Sequence, residues 1–320
     1  MADSTQAPPV YAAVELGSDS FRLHVASVGH GAMQLLASLD EPIRLGAALG
    51  ANGCLGPETM RRALACLRDF RARLAPWEPR AVRAVATAAL RLACDTPAFL
   101  PAAQVALGHP VEVISGEEEG RLIYLGVAGA LGDLGDPDER RLVLDIGSGS
   151  TEVALGRGMQ VELVQSFGVG ALRQGLAFFG DGISGAAFEA ALASARSRVA
   201  DAAMLAGKHG WERAYGASGT LRALAELAHT PVLDLAGLQA LRHALVEEGG
   251  LARAGPHPGR AMQLAGGLAL LLALVQELGI RELVPVQAGL RAGAIRDLHR
   301  RVGEGGGRGA QSYAPYPECA

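Results

Sequence analysis

Aromatic residues make up only 4% of this 320-residue chain and charged residues only 19%, while 49% are hydrophobic. An interior must therefore be built from Ala, Leu and Val, and there is enough of them for more than one core. There is no excess of positive charge: 29 Lys and Arg face 33 Asp and Glu, for a net charge of −4. That excludes a general nucleic-acid or membrane-surface binder and leaves any polyanionic ligand to local arginines and bound cations. The four cysteines (Cys54, Cys66, Cys94, Cys319) have no paired spacing, so neither a zinc site nor a disulfide framework is expected. The eight histidines form no His-x-His or His-x-x-x-His pair. Residues 1–9 carry neither a basic nor an apolar stretch, so no secretion signal is read. The longest apolar run, 264–275, is too short to span a bilayer and reads as a buried helix. A cytoplasmic protein is expected, disordered at 1–9 and 303–320.

What the chain does have is a turn flanked by acids, and it has it twice. Residues 141–155 read as an apolar strand ending in Asp145, a turn of Gly147, Ser148, Gly149 and Ser150, and a second strand opening at Thr151 and Glu152. Glycines let the backbone bring its N–H groups against an anion, and the hydroxyls of Ser148, Ser150 and Thr151 add donors. Carboxylates on both sides suggest that a phosphate is held together with a divalent cation. One such turn is no more than a hairpin. However, residues 13–23 align with 143–153 without a gap, placing Glu15 on Asp145, Gly17 on Gly147, Ser18 on Ser148 and Ser20 on Ser150. Two similar halves facing each other across a cleft follow, and ligands favour such interfaces. The polar stretch 132–139 separates an expected first domain, 10–131, from a second, 138–302.

Within the first half, strands are expected at 10–16, 21–28 and 33–40, then a helix from Pro57 with Met60, Leu64, Leu67, Phe70 and Leu74 at helical spacing. A strand at 81–86 runs into a helix through Thr87, offering an anion site within reach of Arg91. After a strand at 111–114, Ser115 caps a helix whose first turn holds Glu117, Glu118 and Glu119; one of these carboxylates is placed to act as a general base. The second half repeats the pattern, with strands at 141–146, 151–155 and 159–166 and a helix carrying Arg173. Then come a helix over 186–205, a strand at 211–215, a turn at 216–220 leading to Arg222, helices at 233–248 and 260–278, a strand at 282–286 and a last helix at 289–301.

Six segments in this order, ELGSDS (15–20), ATAALR (86–91), ISGEEEGRL (114–122), LDIGSGSTE (144–152), GASGT (216–220) and GLR (289–291), resemble the exopolyphosphatase / guanosine pentaphosphate phosphohydrolase family over residues 10–301. The resemblance implies an α/β fold of two ribonuclease H-like domains, as in actin, hexokinase and the heat-shock chaperones, with an interdomain cleft. It implies a Mg²⁺-dependent hydrolase, with Mn²⁺ as the other cation, acting on inorganic polyphosphate or guanosine pentaphosphate. Glu119 would be the catalytic carboxylate that activates water, joined by Glu152. Asp145, Glu152 and Glu15 would be the metal carboxylates. Gly17, Ser18, Asp19, Ser20, Gly147, Ser148, Gly149, Ser150 and Thr151 would form the phosphate loops, with Thr87, Arg91 and Arg291 along the anion path.

The chain departs from the family pattern in having Glu15 for Asp, Asp19 for Asn, Ser148 for Gly, and Gln287 and Ala292 for two acids. It also stops before the C-terminal helical domain that longer members use in dimerisation; a homodimer is the assembly the resemblance allows. The first expectation is an exopolyphosphatase of short chains. The alternatives are a guanosine pentaphosphate 5′-phosphohydrolase using the same site and a catalytically weak phosphate or nucleotide sensor. A sugar kinase fits less well with a glutamate-rich helix start.

Overall fold

The computed structural model describes residues 7–29, 31–50, 52–132, 136, 138–202, 210–247 and 258–304. The repeat read in the sequence folds twice into the same five-stranded sheet. In the first, β1 (Val10–Leu16), β2 (Ser20–Gly29) and β3 (Ala32–Pro42) form an antiparallel meander. On the other side of β1, β4 (Ala81–Ala86) and β5 (Val111–Val113) add in parallel, giving the order β3-β2-β1-β4-β5. In the second, β6 (Arg140–Ile146), β7 (Thr151–Arg157), β8 (Gln160–Phe167), β9 (Arg213–Gly216) and β10 (Leu283–Pro285) run β8-β7-β6-β9-β10 with the same directions. Central strands β1 and β6 are covered on both faces and mostly buried, whereas β3 and β8 lie at the edges and hold no buried residue.

Helices fill the connections. In the first half these are α1 (Leu45–Ala48), α2 (Pro57–Leu74), α3 (Ala88–Leu92), α4 (Thr96–Leu107) and α5 (Gly116–Leu131). In the second they are α6 (Ala171–Phe178), α7 (Gly185–Val199), α8 (Gly219–Leu227), α9 (Leu235–Glu247), α10 (Pro258–Leu278) and α11 (Leu290–Glu304). The sequence reading did not anticipate α4, because Pro97 and Pro101 punctuate it. Pro97 lies in the first turn, where no N–H is needed, and Phe99 and Leu107 anchor the helix in the first core. The expected helix over 186–205 ends at Val199, and 203–209 fall outside the described residues, as do 1–6 and 305–320. Helix α10 is longer than the apolar run 264–275 suggested. By length and composition it would suffice to cross a membrane, yet it is mostly buried, packed among α6, α7, α8, α9 and β6 as the spine of the second core.

Two helices change sides. Helix α5 follows β5 of the first sheet but packs on β6, β7 and β8 of the second; α11 follows β10 of the second but packs on β1, β2 and β4 of the first. They cross each other in a third apolar cluster, with Leu122, Ile123 and Val127 of α5 meeting Leu290, Ala294 and Ile295 of α11 between the sheets. A fully buried carboxylate, Asp297 on α11, ties the crossing to the first half. It accepts from Arg83 of β4 at 2.9 Å and pairs with Arg121 of α5 at 3.2 Å, with Arg300 and Arg301 completing its surroundings. Such a carboxylate is tolerated only because it is surrounded by charge.

The cysteine reading needs correction. Cys54 and Cys94 form a disulfide, 40 residues apart in sequence with Cα atoms 5.3 Å apart. No spacing rule finds it, because tertiary structure brings the two segments together: Cys94 N–H donates to Gly53 O at 3.0 Å, and Leu55 N–H to the Asp95 carboxylate. Disulfides are rare in reducing compartments, so this bridge pulls against the cytoplasmic expectation. No group of three or more His, Cys, Asp or Glu side chains placed to hold a metal ion occurs among the described residues.

Helices α5 and α11 approach so closely that a Cβ at Gly293 would lie 1.7 Å from Leu122 O and 3.0 Å from Gly126 N. Backbone cannot yield as a rotamer does. Gly293→Ala is therefore expected to destabilise the protein by about 3 kcal/mol, the upper end for overpacking. Urea unfolding checks this; an unchanged midpoint contradicts the crossing.

Candidate active site between the two halves

Both turns close with the same bond. Gly17 N–H donates to Ser20 O at 3.1 Å and Gly147 N–H to Ser150 O at 3.0 Å. Each is then pinned by the segment that follows the meander. Gly46 N–H holds Ser18 O at 2.7 Å, while Ala171 and Leu172 N–H hold Gly147 O and Ser148 O at 2.8 and 3.1 Å. The two turns touch. A Cβ at Gly149 would stand 2.8 Å from Ser18 Oγ and 3.0 Å from the Ala88 Cβ, so only glycine permits this approach. Ser18 Oγ also accepts from Ala89 N–H at 3.1 Å, so one donor at the start of α3, read from the sequence as free for an anion, is already occupied. Thr151 is fully buried and donates its hydroxyl to Val169 O at 2.7 Å, a structural bond and not a free donor. Ser20 is the opposite case: it is 5% exposed, and its hydroxyl has no partner among the described residues.

The acids meet behind these turns. Antiparallel register sets Asp145 opposite Glu152, and Glu15 opposite Arg22 at the equivalent place in the first half. Glu119, 8% exposed in the first turn of α5, receives a hydrogen bond from Arg91 at 2.8 Å; Arg91 also donates to Ile114 O at 3.0 Å. Glu152 is 2% exposed and accepts from Ser166 Oγ at 2.9 Å. Glu15 pairs with Arg291 from the start of α11 and stands 3.8 Å from Arg22.

Burial pushes the Glu119 carboxyl up to about 7; Arg91 pulls it down, and Asp145 and Glu15 push it further up. Burial likewise holds Asp145 up to about 6, with Glu15 adding and Arg22, Arg222 and Arg291 opposing. For Glu152, burial and then the nearby Glu119 and Asp145 raise the carboxyl well above its usual range, against the hydroxyls of Ser150 and Ser166. His24 is held down to about 4 by burial, Arg291 and Arg22. Glu119, Asp145 and Glu152 are thus acids short of compensating positive charge.

The structure thus brings together Glu15, Glu119, Asp145, Glu152, Arg91, Arg291 and the two turns. It leaves Arg173 exposed, bonded to Gly168 O at 3.1 Å. The sequence reading left two arginines out of the site. The gap-free alignment of the repeat put Arg22 on Glu152, a signal that was present. Arg222, on α8 after the turn at 216–220, is half-buried, donates to Ala217 O and Val286 O at 3.3 Å, and lies in the field of Asp145. For a divalent cation, Glu15 is already engaged by guanidiniums. Asp145 makes no side-chain hydrogen bond or ion pair among the described residues. Mg²⁺ is commonly held by one or two carboxylates plus substrate oxygens and water, and Asp145 with Glu152 fits that donor set.

A model of the Ppx/GppA phosphatase family matches residues 24–301. The chain belongs to this family. Solved structures share the fold of this Ppx/GppA phosphatase over nearly its whole length. The Aquifex aeolicus PPX-GPPA enzyme is 24% identical with a TM-score of 0.77, covering 90% of this chain and 99% of its own. An exopolyphosphatase from Cytophaga hutchinsonii is 22% identical with a TM-score of 0.78, covering 90% and 97%. An exopolyphosphatase-like protein is 25% identical with a TM-score of 0.79, covering 92% and 98%. The two sheets with flanking helices are those expected of the actin-like α/β class.

In this phosphatase the charge cluster carries a pH signature. Glu119 holds its proton to about 7 when folded and to 4.5 when unfolded. Between those values the folded state binds more protons, so this group's contribution to stability is lost as pH rises. Glu119→Gln removes that loss. Relative to wild type, its stability is expected to improve on the order of 3 kcal/mol as pH rises through this window. Urea unfolding in EDTA at successive pH values measures it, and a pH-independent difference contradicts the assignment.

Proposed function

We propose that this Ppx/GppA phosphatase is an exopolyphosphatase that hydrolyses the terminal phosphoanhydride of inorganic polyphosphate by attack of a water activated by Glu119. One observation carries the reading: Glu119 is a buried carboxylate held near neutrality, bonded to Arg91, in the field of the acids that precede both turns. A base works best when its pKa lies near the operating pH. Phosphoryl transfer otherwise needs positioning and charge neutralisation, and the turns and arginines supply both.

In this reading the terminal phosphate lies between the turn N–H groups, with Ser20 Oγ and Arg291 Nε, both buried without a partner, as its waiting donors. Glu119 accepts the proton of the attacking water as its oxygen bonds to the terminal phosphorus. The bridging P–O bond breaks, and the electron pair leaves on the shortened chain, giving orthophosphate and a polyphosphate one unit shorter. Arg91, Arg222 and Arg291 face the charge of the chain. Asp145 and Glu152 would hold Mg²⁺ or Mn²⁺, which when bound supplies charge neutralisation at the transferred phosphoryl group. Guanosine pentaphosphate offers the same terminal phosphate, and a side-by-side assay decides between the two substrates.

Glu119→Gln is expected to lower kcat on polyphosphate by about 10²–10⁴-fold while leaving binding of the non-hydrolysable imidotriphosphate intact. Phosphate release measured on polyphosphates of graded length and on guanosine pentaphosphate, with Mg²⁺, tests it. Undiminished turnover in the variant removes Glu119 as the base.

A further inference from the structure

The two halves differ in the acid that precedes each turn. Asp145, at the end of β6, makes no ion pair among the described residues. Glu15, at the end of β1, is one methylene longer and reaches the Arg291 guanidinium, with Arg22 at 3.8 Å on its other oxygen. Among the described residues one nitrogen of Arg291 is engaged in this way; its Nε is buried with no partner there, and the same holds for Ser20 Oγ on the adjoining turn. A guanidinium presents a fork suited to two oxygens of one oxyanion, so a single carboxylate oxygen leaves it half used. The donors are set for an anion, while part of the anion's place is taken by the protein's own carboxylate.

We propose that Glu15 is an internal competitor that occupies Arg291 until a phosphate oxygen displaces it. This rests on the reading of the site as one for polyphosphate and deepens it. Displacing Glu15 costs every anion that uses Arg291 the same binding energy. The end of a multiply charged chain stays bound through its further contacts. Orthophosphate makes fewer contacts, so its affinity falls to where the product leaves readily, and Glu15 reclaims Arg291.

The test is calorimetric binding of orthophosphate and of imidotriphosphate, in EDTA, to the full chain and to Glu15→Asp, Arg291→Gln and the double variant. Glu15→Asp keeps the charge but shortens the reach. It is expected to tighten orthophosphate and imidotriphosphate by a similar factor, up to about fivefold, the worth of a partly exposed ion pair. In the Arg291→Gln background the gain is expected to vanish. Glu15→Gln, which also weakens the pair, should tighten both ligands. If Glu15→Asp leaves orthophosphate affinity unchanged or weaker, or if the gain survives without Arg291, the competitor role is overturned. Imidotriphosphate bound by neither wild type nor Glu15→Asp, in EDTA or with Mg²⁺, would overturn the polyphosphate reading itself, and this inference with it.

Discussion

Four carboxylates, Glu15, Glu119, Asp145 and Glu152, and four guanidiniums, Arg22, Arg91, Arg222 and Arg291, are largely withdrawn from water at one place. Withdrawing a charge from water is costly unless a partner compensates it, and here the compensation is incomplete. Glu15 and Glu119 have arginines; Asp145 and Glu152 face each other with only hydroxyls and more distant arginines to relieve them. That leaves carboxyls raised from their ordinary range next to unfilled donors at Ser20 and Arg291, an arrangement that favours a ligand carrying both negative oxygens and a cation.

The fold exists to hold that arrangement against its own repulsion. Each sheet delivers one turn at the end of its central strand, and the exchange of α5 and α11, which cross each other, binds the sheets together. Glu119 belongs to the first half by chain order yet lies beside Glu152 of the second because α5 packs on β7 and β8. Arg291 belongs to the second half yet meets Glu15 of the first because α11 packs on β1. The site is thus composite. The crossing at Gly126 and Gly293 and the arginines around Asp297 set its geometry from a distance.

Much of this was legible in the residues, for a physical reason. Two gap-free copies of a strand, turn and strand admit few folds, and apolar runs between glycine-containing connections located most of the strands. The acids were legible because Asp145 and Glu152 flank a turn and Glu119 opens a helix after a strand. Other features depend on contacts that local sequence does not encode. The Cys54–Cys94 bridge arises from two loops meeting, and the capture of Ala89 N–H by Ser18 from the entry of α3 beside the first turn. Thr151 read as a ligand donor because its type and place were right; only the neighbouring Val169 carbonyl shows its hydroxyl to be engaged. Arg22 was overlooked although the repeat set it on Glu152, since an arginine aligned with a glutamate looks like divergence until both are seen in one cluster.

The central claim is that a phosphate chain ends between the two turns, beside Glu119. A structure determined with imidotriphosphate and Mg²⁺ tests this most directly. The account predicts the terminal phosphate between residues 17–20 and 147–150, bonded to Ser20 Oγ and Arg291, with an ordered water between its phosphorus and the Glu119 carboxylate. A triphosphate bound elsewhere, or a terminal phosphorus with Glu119 out of reach of any such water, would contradict it.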